Sequence, residues 1–162
     1  MSDVYAFLKL NGVEGEAQDS EYQKQIEVQS VSWGASNNSS FAHGTGSGIG
    51  KGHISDIVIT KFTDKASSNL FKNCTTGKVM TDGTLTLLKL QDETKIAYLK
   101  VDLTNVVITS YQLSASGNGQ LPMESVTLHF QKFKSTYKVQ EDTGAAGGDA
   151  EFGWDIQKSV AA

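Results

Sequence analysis

Apolar and polar residues along this chain alternate with the period of a β-strand far more often than with that of a helix. Residues 4–10, Val-Tyr-Ala-Phe-Leu-Lys-Leu, are apolar on both faces, as a short buried strand would be. Between Tyr22 and Trp33, Ile26 and Val28 share one face while Val31 and Trp33 share the other. That change of phase predicts a bulge near Gln29, or a strand passing from one environment to another. Residues 54–62, 84–90, 96–103 and 106–113 are rich in β-branched side chains, the mark of strands. Ala97, Leu99, Val101 and Leu103 fall on one face, with Lys100 and Asp102 on the other. Val126, Leu128 and Phe130 alternate with Thr127, His129 and Gln131, after which the phase slips to Phe133 and predicts a second bulge on a long strand. The helix candidate spans about 67–75. Asp64, Ser67 or Ser68 would cap it, Leu70 and Cys74 share its inner face, and Gly77 follows at the C′ position. Short strands recurring with turn signals between them describe an all-β sandwich or barrel with one short helix.

Two stretches interrupt the strands. Residues 37–52 are polar and then glycine-rich, an extended loop. Residues 141–149, with Gly144, Gly147 and Gly148, form a flexible segment that isolates a final segment at 152–156. There is no internal repeat, and 162 residues fit a single domain.

Composition narrows the function. One cysteine, Cys74, permits no internal disulfide and no paired-cysteine metal or redox motif. No run approaches the roughly 18 apolar residues of a membrane span. The sequence from Met1 shows neither a basic region nor an apolar run long enough for a cleavable signal, so the protein is expected to be made and first used in a cytoplasm. Fourteen basic residues stand against 18 acidic ones, for a net charge of −4, and every basic residue is lysine. Arginine is the usual residue for bidentate phosphate and guanine contacts. Its absence, with no lysine cluster, excludes nucleic acid as a partner, and the lack of a basic amphipathic stretch excludes membrane association.

The chemical motifs fail one by one. Gly44, Gly46, Gly48, Gly50 and Gly52 end in Gly50-Lys51, which invites a phosphate-loop reading. A Walker loop, however, needs GxxxxGK[ST], whereas position 45 is Thr and position 52 is Gly. Glycines at period two cannot satisfy GxGxxG either. Ser47 lacks the flanks of GxSxG, because positions 45 and 49 are Thr and Ile. Cys74, on the apolar face of its helix, reads as a small core residue. His53 and Asp56 would point to opposite faces of an extended segment, which argues against a shared metal. Asp102 and Glu124 have no neighbouring partner for paired-carboxylate hydrolysis. No catalytic, cofactor or metal site emerges. Trp33 and Trp154 are core aromatics or, alternatively, platforms for a sugar.

The order of these features resembles the haemolysin-coregulated protein (Hcp) family, the tube protein of bacterial type VI secretion. The resemblance rests on residues 7–16 (FLKLNGVEGE), residues 26–34 (IEVQSVSWG), the glycine loop ending at Lys51, and residues 56–70 (DIVITKFTDKASSNL). Tyr98-Leu99, residues 126–130 (VTLHF) and residues 152–156 (FGWDI) complete it. Asn69 departs from the proline common after the two serines, which touches only the helix start. The resemblance implies a β-barrel of two antiparallel sheets with one flanking helix, hexameric rings stacked into a hollow tube, and expulsion by a contractile sheath. It implies no enzymatic activity and no cofactor. Its implied partners are further copies of the chain, a spike protein, the sheath, a baseplate and small effector proteins carried in the lumen. It further implies secretion from the bacterial cytoplasm without a cleavable signal.

Within that frame the residues suggest sites. Strands apolar on both faces, such as 4–10, would serve a core on one side and a neighbouring copy on the other. His43, Gly44, Gly46, Gly48, Gly50 and Lys51 would lie on a loop that meets an adjacent ring, at an entropic cost that keeps stacking weak. Ser30 and Ser32 share the face opposite Val31 and Trp33 and are the candidates for lumen and effector contact. The competing reading is a monomeric ligand- or carbohydrate-binding β-sandwich built on Trp33 or Trp154. A hydrolase is a third, for which no residues can be named.

Overall fold

The computed structural model describes residues 6–37, 52–140 and 146–162. The expected strands form in the order β1 (Ala6–Leu10), β2 (Ile26–Val28), β3 (Ser30–Ser32), β4 (Ala35–Ser36), β5 (His53–Ile54) and β6 (Ile57–Phe62). Helix α1 (Ser67–Thr76) follows, then β7 (Met80–Gln91), β8 (Thr94–Ser114), β9 (Met123–Gln140), β10 (Ala146–Asp155) and β11 (Val160–Ala161). The runs 96–103 and 106–113 are thus two halves of one long strand. All pairings are antiparallel, with β1 between β2 and β7, β8 between β7 and β9, and β6 between β3 and β9. The circuit closes through Gln29, which joins β2 to β3 and donates its N–H to the Thr60 carbonyl at 2.8 Å. The phase change expected near Gln29 is therefore a change of strand partner, and it shuts the barrel. The long β9 serves twice, pairing with β6 along 123–128 and with β10 along 132–140.

Ala6, Leu8, Ile26, Val28, Ile57, Ile59, Leu85, Val101, Leu103, Val126, Leu128, Phe130 and Phe133 fill the barrel. The slip from Phe130 to Phe133 is not the bulge expected. Inward positions jump from Leu103 to Val106 on β8 at the same level, while the register across Leu103↔Phe133 and Val106↔Phe130 is kept. Asn105, at φ 53°, turns the ladder there, and its Nδ2 donates to Gln131 Oε1 at 2.7 Å. A bulge does occur nearby, between Ile108 and Ser110.

A second correction concerns Ala97. The register shifts between Leu87↔Leu99 and Leu88↔Ala97, so Leu99 stays with the main core while Ala97 turns to the reverse face. There it joins Phe7, Ala17, Leu88 and Tyr22 in a small second cluster. Phe7 stacks on Tyr22 with ring centroids 4.7 Å apart. The two-faced apolarity of β1 is thus satisfied within the chain, by residues 15–25, and needs no neighbouring copy. Gly15 N–H to Lys24 O (2.8 Å) and Ala17 N–H to Gln25 O (3.0 Å) fasten that cover. A Cβ on Gly15 would overlap the Gln25 carbonyl, so only glycine lets the two segments approach.

Helix α1 begins where expected. The N-cap position, however, is Ala66, with no side-chain cap, in place of the expected Asp64, Ser67 or Ser68. Asp64 Oδ1 accepts the Ala66 N–H and Ser67 Oγ accepts the Asp64 N–H, both at 2.9 Å, bracing the turn before the helix, and Gly77 ends it at φ 67°. Leu70 is buried and Cys74 packs against the core, as the periodicity predicts.

Candidate functional site

Beyond the core, the outward face of β3, β6, β9 and the end of β8 presents two rows of side chains set by register. One row runs Ser30, Thr60, Ser125, Gln112; the next runs Ser32, Val58, Thr127, Ser110. Because strand side chains alternate, these positions share one face while Val31, Ile59 and Val126 point into the core. Neither row carries a charge, and only Val58 is apolar. The hydroxyls of Ser30 and Thr60 share a hydrogen bond. The next level is polar but ionisable: His129 Nδ1 lies 2.7 Å from Asp56 Oδ1. Asp56 thus pairs with His129, not with His53.

The margins of this face are strand edges. β3 pairs only with β6, and beyond Val106 β8 pairs only with β9. The face therefore ends on two different backbone edges with no strand partner among the described residues. Ser30 and Ser32, the residues singled out from sequence, lie along the β3 edge, on the hydroxyl face. The other nominated residues, His43, Gly44, Gly46, Gly48, Gly50 and Lys51, lie outside the described residues.

The base of that loop is held firmly. Ala35 pairs with Ile54 and Ser36 with His53. Ser55 Oγ donates to the Gly34 carbonyl at 2.8 Å and accepts the Gly34 N–H at 2.9 Å. Trp33 Nε1–H donates to the Ser55 carbonyl at 2.9 Å, and its ring meets Phe130 and Phe133 edge-on, at 6.0 and 4.9 Å. Trp33 is therefore a half-buried anchor with its polar group spent. Trp154 also packs against the core.

One buried site escaped the sequence reading. Lys61 and Glu124 are fully buried and face each other in register, Nζ to Oε1 at 3.0 Å. Lys61 Nζ also meets Asp64 Oδ1 at 2.8 Å, Ser67 Oγ at 3.2 Å and the Phe62 carbonyl at 2.9 Å. Burial pushes the Glu124 carboxyl up, but hydrogen bonds from Ser67, Thr63 and Lys61, together with the Lys61 charge, outweigh it and the net direction is down. Burial, then hydrogen bonding to Glu124, pushes the Tyr111 hydroxyl up to about 12. This cluster fastens the start of α1 to β6 and β9 as a buried clamp. The signal was present, since 57-59-61 and 124-126-128 extend the inward periodicity to Lys61 and Glu124. The registration of two strands distant in sequence was needed to pair them.

Among the described residues no group of His, Cys, Asp and Glu could hold a metal ion, and no helix is long and apolar enough to cross a membrane. Comparison with known proteins completes the picture. Residues 7–137 match the family described as type VI secretion system effector, Hcp. The chain is 35% identical over 160 residues to protein hcp1 of Pseudomonas aeruginosa, covering 98% of this chain and 99% of that protein. A solved type six secretion system protein superposes with a TM-score of 0.90 at 30% identity, covering 99% of this chain and 100% of the other. The crystal structure of Hcp1 from Salmonella typhimurium gives a TM-score of 0.81 at 30% identity, with 98% of each chain covered.

Proposed function

Since the chain belongs to the Hcp family of type VI secretion, a secreted structural family and not an enzymatic one, we propose that it is a subunit of the secretion tube. Copies close into hexameric rings with the hydroxyl-rich face turned toward a central bore, and rings stack into a hollow tube. The observation that carries this reading is the pair of uncharged rows from Ser30 to Gln112 and from Ser32 to Ser110. A wall that must pass many different proteins gains from small side chains that neither attract nor repel strongly. A cyclic ring also needs two unlike margins on each copy. The free edges of β3 and of residues 107–114 are two such margins, on either side of that face.

In this reading Ser32 and Ser30 touch small effectors in the lumen, and the loop bearing His43, Gly44, Gly46, Gly48, Gly50 and Lys51 meets the next ring. The spike, sheath and baseplate are the remaining partners, and assembly takes place in the bacterial cytoplasm before export. Trp33 spends its N–H on the Ser55 carbonyl and packs edge-on against Phe133, and Trp154 packs against the core, which favours structural roles for both over the rival sugar-binding sandwich.

Light scattering followed by negative-stain imaging tests the ring. A species near six times 17.4 kDa, seen as an open annulus, is expected. A 17.4 kDa monomer at high concentration would overturn the assembly. Deleting residues 42–50 is expected to abolish tube growth in cells; unchanged growth removes that loop from stacking. A Ser32→Gln variant is expected to form rings yet fail to protect some effectors from degradation, and full protection of every effector removes Ser32 from the contact.

A further inference from the structure

The chain contains two Asn-Gly pairs, Asn11-Gly12 and Asn118-Gly119. In such a pair the glycine nitrogen has no Cβ beside it and can approach the preceding carboxamide carbon wherever the backbone is free to turn. Exposure does not separate the two pairs: all four residues are exposed, and the glycines sit at φ 79° and 80°. Hydrogen bonding does separate them. Asn11 N–H donates to the Asp82 carbonyl at 3.1 Å, its Nδ2 donates to Thr81 Oγ1 at 3.1 Å, and Val13 N–H closes the turn onto Leu10 O at 3.1 Å. Swinging the Asn11 carboxamide onto Gly12 would break this set. Asn118 lies in the connection between β8 and β9, in the turn at residues 117–118. Its Oδ1 accepts the Ser116 hydroxyl at 2.9 Å and the Gln120 N–H at 3.3 Å. Both donors are aimed at the atom on which negative charge develops when a nucleophile adds to Cγ.

We propose that Asn118 is a self-modification site, at which the Gly119 main-chain nitrogen attacks Asn118 Cγ while Ser116 and Gln120 steady the oxyanion. The N–Cγ bond forms as the Gly119 amide proton passes to solvent. The bond from Cγ to Nδ2 breaks, and that nitrogen takes up a proton and leaves as ammonia. Water then opens the cyclic imide at either carbonyl, giving aspartate or isoaspartate. One water is consumed and one ammonia released, with no oxidant or other reactant. The product carries a negative charge in a stretch, 114–123, that has none, beside the exposed side chains of Leu113 and Leu121. In its isoaspartyl form it also lengthens the main chain of that loop.

The test is incubation of the folded full-length chain in mildly alkaline buffer, with peptide mass mapping and an isoaspartate assay over time. Aspartate and isoaspartate are expected to accumulate several-fold faster at position 118 than at position 11. Ser116→Ala should slow the reaction at 118, and Asn118→Gln should abolish it. In denaturant the two sites should react at nearly the same rate. Equal rates in the folded chain, or faster reaction at Asn11, would overturn the proposal. So would a Ser116→Ala rate equal to that of the parent chain, or a difference between the sites that persists in denaturant.

Discussion

The barrel has two outward sheet faces that the chain treats in opposite ways. On the reverse face of β1, β7 and β8 it places Phe7, Leu88 and Ala97, and then spends residues 15–25 on covering them. On the outward face of β3, β6, β9 and β8 it places two central rows of serine, threonine and glutamine, with Val58 the one apolar side chain among them, and lays no segment of described chain over those rows as it does over Phe7. Apolar surface demands a lid, because each buried aromatic contributes about 1.5–3 kcal/mol that exposure would forfeit. Hydroxyls ask for none, since water satisfies them. The bare face is therefore not an unfinished core: its chemistry suits a surface that faces water and passing proteins.

The largest effect that would sharpen this contrast lies under the lid. Phe7 is 2% exposed and stacked on Tyr22, so Phe7→Ala is expected to cost about 3–5 kcal/mol in denaturant melts. A cost below about 1 kcal/mol, the scale of a surface change, would mean that residues 15–25 add little to the fold.

That lid marks the limit of what sequence could reveal. The phase change at Gln29, the αL glycine at Gly77 and the inner face of α1 were legible because each is a local signal within a few residues. The two-faced apolarity of β1 was legible as well, but not what covers it, because Tyr22 and Ala17 reach Phe7 through a loop with no periodicity. Ala97 was assigned to the wrong face because the register shift at Leu87/Leu88 is invisible in a strand read alone. Ser30 and Ser32 were identified correctly as outward, yet their neighbours Thr60, Ser125 and Thr127 emerged only from three-strand registration.

The next effect concerns the clamp between the faces. Tyr111 ionises at about 12, above its unfolded value, so its contribution is fully present below about pH 10 and is lost as pH rises through 12. Glu124, whose carboxyl is depressed, contributes above the ordinary carboxylate range and loses that contribution as pH falls below about 4. Melting temperature measured from pH 9 to 12 should fall more steeply for the parent chain than for Tyr111→Phe. Parallel curves would detach Tyr111 from the clamp.

A smaller, stabilising effect lies at the tip of the β7–β8 hairpin. Asp92 and Glu93 sit at φ 47° and 64°, where side chains with a Cβ are strained. Replacing them with Asn-Gly, which suits this turn, is expected to stabilise the fold by about 1 kcal/mol. A loss of stability would show that the acidic tip makes compensating contacts.

The smallest expected effect bears most directly on the comparison. Thr127→Ala and Ser125→Ala remove hydroxyls from the middle of the bare face, where both residues are only partly buried and no side-chain hydrogen bond to the core is lost. Each should change stability by less than about 0.5 kcal/mol. Thr60→Ala, which gives up the bond to Ser30, should cost about 0.5–1.5 kcal/mol, the net worth of an ordinary hydrogen bond. If Thr127→Ala or Ser125→Ala approached the Phe7→Ala cost, the hydroxyl rows would be structural, and the open face would need another use. If they stay near zero while ring closure by light scattering is unchanged, the face is free of folding constraint. Its uncharged, small-residue character then calls for an explanation outside the fold, and contact with proteins passing along a bore supplies one.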